Sequence, residues 1–466
     1  MCRPITFIVK CLPRLFKSAY SILLKLTPSL LHQGCRLSVS ITMSVYLQYI
    51  WSFVNSSWIG RYEETPPAQT VKLLWSAIVS MYAVGGLLGS MSVRCIAGRF
   101  GRKRAMIWNN VVSIVAAVIM FTSRGANSFE MILIARVDSI DFFYSCFSPK
   151  KIRGMVTLTS ATFISIGKLS GQFVGLREIL GREDSWNILL CVSTCFSVVQ
   201  LLTLPFFPEA PRYLLIEKGN AEACKKGSLC FLIVTKIEIL DVQRDTSKSL
   251  LELLRDRSVR WQLITMVVIY GCIQFSGITA ISVFSFDIFK EAGIPLDKIR
   301  YVTLGIGVSE VLTSITCVSG LLIESVGRRP LLWGGFGAMS AIMILITITL
   351  SLKVSPLNFQ LSSGVLPSLT HEIFIQSCRP AAFVFTGILR WLGFSVLGLL
   401  FPFLIELLKS VSFVLFACMC LLASLYVFFY LPETKGKTLL EISEEFKNIT
   451  LCGNPLSDDK TLETRF

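Results

Sequence analysis

Nine stretches of this chain, at 72–94, 105–123, 156–177, 186–206, 261–284, 301–323, 331–352, 381–404 and 410–430, stay apolar for the length of a membrane-crossing α-helix, about 20 residues. Lipid gives no partner to free backbone N–H and C=O groups, so only helices and closed barrels can span it. Barrel strands are shorter and alternate polar with apolar residues. These runs do neither, so helices are expected. Three weaker candidates complete the pattern. Region 31–54 is moderately apolar, 129–147 carries Glu130, Arg136, Asp138 and Asp141, and 354–373 holds Pro356, Pro367 and many polar residues. Together they predict twelve spans.

Composition agrees with lipid as the main solvent. The 466 residues are 53% hydrophobic and 16% charged, with a mean hydropathy of +0.65, whereas soluble domains are about 45–50% apolar and about 25% charged. A net charge of +15 raises nucleic acid as a partner. The basic residues instead sit in short clusters between apolar runs, at 98–104, 149–153, 212–260 and 327–329. Such clusters mark cytoplasmic loops, and no nucleic-acid partner is expected. Their alternation with Asn55–Thr70 and Lys290–Arg300 puts both termini in the cytosol. Asn55-Ser56-Ser57 then forms a glycosylation sequon on the outer side. The first residues are broken by Lys10, Arg14, Lys17 and Lys25, which suits a basic interfacial segment better than a cleaved signal peptide.

Catalytic and metal chemistry find no support. Cysteines such as Cys191, Cys195, Cys418 and Cys420 lie inside apolar runs, and no C-x-x-C pair or histidine cluster appears. Thiols in such places act as small hydrophobes. With no nucleophile–base constellation either, the chain is read as a non-enzyme without metal or cofactor.

An internal repeat organises the chain. Phe100-Gly101-Arg102-Lys103 recurs as Val326-Gly327-Arg328-Arg329, Arg153 as Arg379, and Pro208-Glu209-Ala210 as Pro432-Glu433-Thr434. Each pair lies about 225 residues apart, the mark of a duplicated unit. Stop-transfer charge explains basic residues but not the repeated G-R-K/R and P-E patterns. A parallel duplication of six helices relates the halves by an axis along the membrane normal. The divisions expected are a divergent 1–52 with a degenerate first span, a helical bundle over 53–215, and a polar loop over 216–258. A second bundle over 259–438 and a tail over 439–466 follow. Within the loop, Ser249–Trp261 has the spacing of a short amphipathic helix.

These motifs resemble the facilitative glucose transporter family, solute carrier family 2 of the major facilitator superfamily, over roughly residues 53–137 and 148–445. Gly98–Lys103 is similar to the loop after helix 2, Pro208–Tyr213 to the motif after helix 6, Gly327–Arg329 to the loop after helix 8, and Pro432–Thr438 to the signature after helix 12. Gly293-Ile294-Pro295 and Gly327–Pro330 look like the fructose- and urate-handling branch. The resemblance implies an all-α major facilitator fold of two six-helix bundles, in the cell membrane, carrying fructose or glucose by alternating access. Urate or another organic anion is an alternative, and so is a relative that no longer transports.

The resemblance places the substrate between the halves. Gln274 stands at a family sugar-binding glutamine, Ile273 replaces a neighbouring glutamine, Thr279 replaces an asparagine, and Ala161 a glutamine of helix 5. Ser276, Glu310 on helix 8, Arg390 and Trp391 complete the expected binding set. A neutral polyol trades water for a few amides and hydroxyls in an apolar wall. From the residues alone, Gln274, Ser276 and Thr279 read more readily as interhelical hydrogen-bond groups than as ligand groups. Departures from the family pattern concentrate on three spans. The helix 1 signature is absent from 1–52, helix 4 is shorter by roughly ten residues or about 15 Å, and helix 10 is also shortened.

Two groups of charges carry specific expectations. Arg102, Arg153, Arg212, Arg328 and Arg379 are expected to meet Glu209, Glu324, Glu372 and Glu433 at the cytoplasmic face, where the repeated motifs end their helices. Glu310 and Arg390 fall inside apolar runs, where an unpaired charge costs several kcal/mol. They are expected to approach each other across the second half, directly or through water.

Overall fold

A computed structural model describes residues 47–137, 153–182, 184–206, 209, 249–277, 288–289, 293–318, 327–351, 369–370, 373–374, 377–408, 411–434, 437 and 439–448. Among them no strand occurs. The first half contributes α1 (Leu47–Tyr62), α2 (Ala68–Phe100), α3 (Arg102–Thr122), α4 (Glu130–Arg136), α5 (Arg153–Val174), α6 (Trp186–Cys191) and α7 (Thr194–Thr203). The second half contributes α9 (Arg260–Gln274), α10 (Leu296–Val318), α11 (Arg328–Ser351), α12 (Arg379–Leu408) and α13 (Val411–Tyr430). Between the halves lies α8 (Leu250–Arg255), and α14 (Leu439–Asn448) follows the last span.

Five described helical stretches are long and apolar enough to cross a membrane, from Lys103–Thr122 through Val411–Tyr430. The reason is plain in α13, whose 20 residues contain no charge. α5 and α10 are as long, at 22 and 23 residues, but carry Lys168 and Glu310 inside. The Gly101 and Gly327 motifs begin α3 and α11, the equivalent helices of the two repeats, and mark one end of the spans. That end is called the motif end below, and the other the far end.

Several spans differ from the sequence expectation. The loop expected at Asn55–Thr70 shrinks to 63–67, because α1 continues to Tyr62. Asn55 therefore lies within a helix, and Ser57 is buried, its Oγ donating to Asn127 O at 2.6 Å. Trp58, Phe53 and Val54 keep this segment packed, since they join or abut the buried apolar cluster. The expected span 186–206 is present as one stretch of 21 residues, its helix interrupted at Val192–Ser193, which keep right-handed helical geometry, and ending in a 3₁₀ turn at Leu204–Phe206. The helix expected over 261–284 ends at Gln274, where Phe275 leaves helical geometry and Gly277 takes φ 77. Of the fourth span Glu130–Arg136 is described; Asp138, Asp141 and most of 354–373 lie outside the described residues.

α8 forms as its spacing predicts, held by a capping box. Ser249 Oγ accepts from Glu252 N at 3.2 Å, and Glu252 Oε2 accepts from Ser249 N at 2.8 Å. Leu253 is fully buried and anchors α8 in the second bundle's cluster with Met266, Phe336 and Phe446.

The two bundles meet along two seams. α2 packs along α12, and α5 packs antiparallel to α10. A second apolar cluster crosses between bundles, joining Val54, Tyr82 and Trp186 to Ile288, Trp391 and Phe416.

Candidate functional site

The duplicated motifs turn out to be helix starts with a donated cap. At each, a glycine with positive φ, 84° at Gly101 and 96° at Gly327, lets the chain turn into the next helix. The first turn of a helix leaves N–H groups without intrahelical partners. Glu209 accepts from Lys103 N at 2.8 Å, and Lys103 Nζ reaches Pro205 O at 2.8 Å. Glu433 accepts from Arg328 N at 3.0 Å, Arg329 N at 3.2 Å and Thr434 N at 3.1 Å. The P-E motif therefore caps the helix that the G-R-K/R motif begins, once in each half. A carboxylate there also meets the positive end of the helix dipole.

The expected arginine network is only partly in view. Arg102 and Arg153 begin α3 and α5. Arg379 Nε donates to Phe374 O at 2.9 Å. Arg212, Glu324 and Glu372 lie outside the described residues.

At mid-depth, Gln274 closes α9 against α12. Its Nε2 donates to Arg390 O at 3.0 Å, while its Oε1 is buried without a partner. Gly393 allows this approach: a Cβ there would lie 2.4 Å from Gln274 Cγ. Trp391 is buried and lies edge-on to Tyr82 of the other bundle, ring centroids 5.6 Å apart. Ser276 is less available, its Oγ donating to Ile273 O at 2.6 Å. Thr279 lies outside the described residues.

No direct Glu310–Arg390 contact is seen among the described residues. Glu310 Oε1 instead takes Lys168 Nζ at 2.7 Å and Ser165 Oγ at 3.2 Å. Arg390 turns its guanidinium over the Trp391 ring, 5.7 Å from the centroid, and makes no ion pair with a described carboxylate. The physical reason is the packing: α10, which carries Glu310, runs against α5 of the other bundle. An interior charge takes its counter-ion from the helix it faces. Lys168 is the functional candidate that reading the sequence missed. The signal was available: one lysine within an otherwise apolar run requires a partner or water.

The far end holds its own contacts between bundles. Tyr301 Oη donates to Glu178 Oε1 at 2.7 Å, and Arg300 Nη1 donates to Gly181 O at 3.2 Å. The Tyr301 hydroxyl, and then nearby backbone, hold the Glu178 carboxyl below its ordinary value; Arg300 and Arg177 add to this. Within the first bundle, Arg61 Nη1 pairs with Glu130 Oε1 at 2.5 Å, and Arg61 Nη2 donates to Asn127 O at 3.2 Å.

Comparison with known proteins fits this frame. The family model "Sugar (and other) transporter" matches residues 38–446. Facilitated glucose transporter member 9 of solute carrier family 2 from Homo sapiens is 40% identical over 433 residues, 85% of this chain and 80% of that one. Member 5 from Homo sapiens is 36% identical over 429 residues, 84% and 85% respectively. The structure resembles the major facilitator proton:xylose symporter XylE bound to 6-bromo-6-deoxy-D-glucose, with TM-score 0.74 and 18% identity over 92% of this chain and 99% of that one. The partially occluded inward-open form of XylE from E. coli gives TM-score 0.69 at 18% identity, covering 90% and 99%. That likeness establishes the major facilitator fold. The chain is a multi-pass membrane protein of the sugar transporter family, within solute carrier family 2.

Proposed function

We propose that this protein is a facilitative carrier of monosaccharides, fructose or glucose, working by alternating access in the plasma membrane. The observation that carries the reading is Gln274. Its amide is half used by Arg390 O, and its Oε1 is buried and unpartnered at the junction of the bundles. A buried acceptor without a donor costs about 1–3 kcal/mol, and a sugar hydroxyl supplies that donor. Trp391, beside it on α12, closes the wall toward Tyr82 of the other bundle. Sugar carriers among the relatives support the same reading.

The basic clusters favour a cytoplasmic motif end with both termini inside. On that orientation the far-end contacts close the outer mouth. Asn55 in α1 remains a sequon, with Ser57 committed to Asn127.

A second reading, an organic-anion carrier for urate or a similar ion, is favoured by Arg390. Its guanidinium lacks a described counter-ion, whereas Lys168 is neutralised. Uptake of labelled fructose, glucose and urate into proteoliposomes separates these readings. Saturable hexose uptake that Gln274→Leu weakens is the expected result. Urate uptake without hexose uptake would replace the first reading by the second. Correctly inserted protein that moves none of the three would make the chain a non-transporting relative.

A further inference from the structure

We propose that Lys168 and Glu310 form the pivot on which the two bundles rock, a positioning pair that stays closed while the ends of the seam open. This rests on the alternating-access reading above.

Contacts along the α5–α10 seam follow an antiparallel register. From mid-depth outward they pair Ser165 with Ser314 (Oγ to Oγ 3.1 Å), Lys168 with Glu310, Gln172 with Gly307, Tyr301 with Glu178, and Arg300 with Gly181. Gln172 and Gly307 touch so closely that a Cβ on the glycine would lie 1.9 Å from Gln172 Oε1. The helices therefore cannot approach further at that level.

The strength of the contacts varies with depth. Lys168 and Glu310 side chains are 10% and 13% exposed, and Ser165 adds a hydrogen bond to the same oxygen. Separating this pair would leave two ions facing lipid or protein with no compensation, the most expensive rupture available in a membrane interior. Tyr301 and Glu178 are exposed, so water replaces their hydrogen bond at little cost.

Rigid bundles that rock about a central site move least at the axis and most at the ends. Glu310 lies nine residues along α10 from Tyr301, about 14 Å at 1.5 Å per residue. The contact that cannot break cheaply thus sits near the axis, and the contact that breaks cheaply sits at the rim. Lys168 and Glu310 then hold the halves in register without touching substrate.

The test uses the full chain with spin labels at exposed Ile179→Cys and Lys298→Cys, in a background lacking the other reactive thiols. Distance distributions report opening of the far end, and thermal unfolding in detergent reports stability. Lys168→Met and Glu310→Gln should each lower the unfolding temperature by several degrees and leave the distance distribution as in the parent. The charge-swapped Lys168→Glu/Glu310→Lys should recover stability; if it does not fold, the neutral Lys168→Met/Glu310→Leu serves, because removing both ions together is tolerated. Single variants that shift the distribution toward the open form would make the pair a latch and overturn the pivot. Single variants as stable as the parent would overturn it too. A parent with one fixed distance and no uptake would overturn the carrier reading along with it. Two distances with uptake, but shifted singles, would overturn the pivot alone.

Discussion

Glu433 lies directly beneath Gly327 at the start of α11, so close that a Cβ added to the glycine would stand 2.9 Å from Glu433 Oε2. The glycine is needed twice over, for this approach and for its φ of 96°. Gly327→Ala should therefore destabilise the second bundle by about 1–3 kcal/mol, the usual cost of strained backbone. Glu433→Ala, which removes the cap, should cost about 1–2 kcal/mol. Glu433→Gln keeps one carbonyl acceptor and should cost less. Thermal unfolding of the three variants in detergent checks the order.

Much of this was legible in the sequence, and the limits are physical. The repeat announced equivalent stations because glycine with positive φ and a capping carboxylate are strict local requirements. The positions of five spans followed from apolar length. What periodicity does not encode is which faces meet. Glu310 and Arg390 both read as interior charges of the second half, yet Glu310 turns across the seam to Lys168, while Arg390 stacks on Trp391. Nor does composition show where a spanning helix stops. Gln274 ends α9 in the middle of an apolar run, where Phe275 leaves helical geometry and Gly277 takes φ 77 close against the Phe416 ring.

The far-end contact should respond to pH. The Tyr301 hydroxyl holds Glu178 below its ordinary value, so the folded carboxyl is harder to protonate than the unfolded one. Stability from this contact is full above the ordinary carboxylate value and is lost as pH falls through the lowered folded value. With Glu178 exposed, the effect is small. Acidifying the far side should raise the open fraction slightly in the parent and less in Tyr301→Phe. Equal responses of parent and variant in the spin-label distances would refute the assignment.

Gln274 and Gly393 should behave as one unit. Gln274→Leu removes the amide and is expected to lower hexose uptake about two- to tenfold, the worth of one neutral hydrogen bond. Gly393→Ala retains the Gln274 side chain but puts a Cβ 2.4 Å from its Cγ, which pushes the amide away from Arg390 O. It should reduce uptake in the same direction. The double variant should be little worse than Gln274→Leu, since both act on the same group. Initial rates in proteoliposomes at matched expression decide this.

The α2–α12 seam has a close contact of its own. A Cβ on Gly86 of α2 would lie 2.3 Å, 2.5 Å and 2.6 Å from three atoms of the Trp391 indole on α12. Nothing flexible can yield there: the ring is buried and wedged against Tyr82 and Phe394, with centroids 5.6 Å and 6.1 Å away. Gly86→Ala thus overpacks the contact between bundles, at a cost of about 1–3 kcal/mol. The strain falls on the arrangement in which α2 and α12 touch, so separation of the bundles at this level relieves it. Gly86→Ala should widen the spin-label distance across the far end and slow net uptake. Trp391→Leu opens space for the new methyl, and Gly86→Ala should cost much less in that background. A full penalty for Gly86→Ala in both backgrounds would show that the methyl meets something other than the indole.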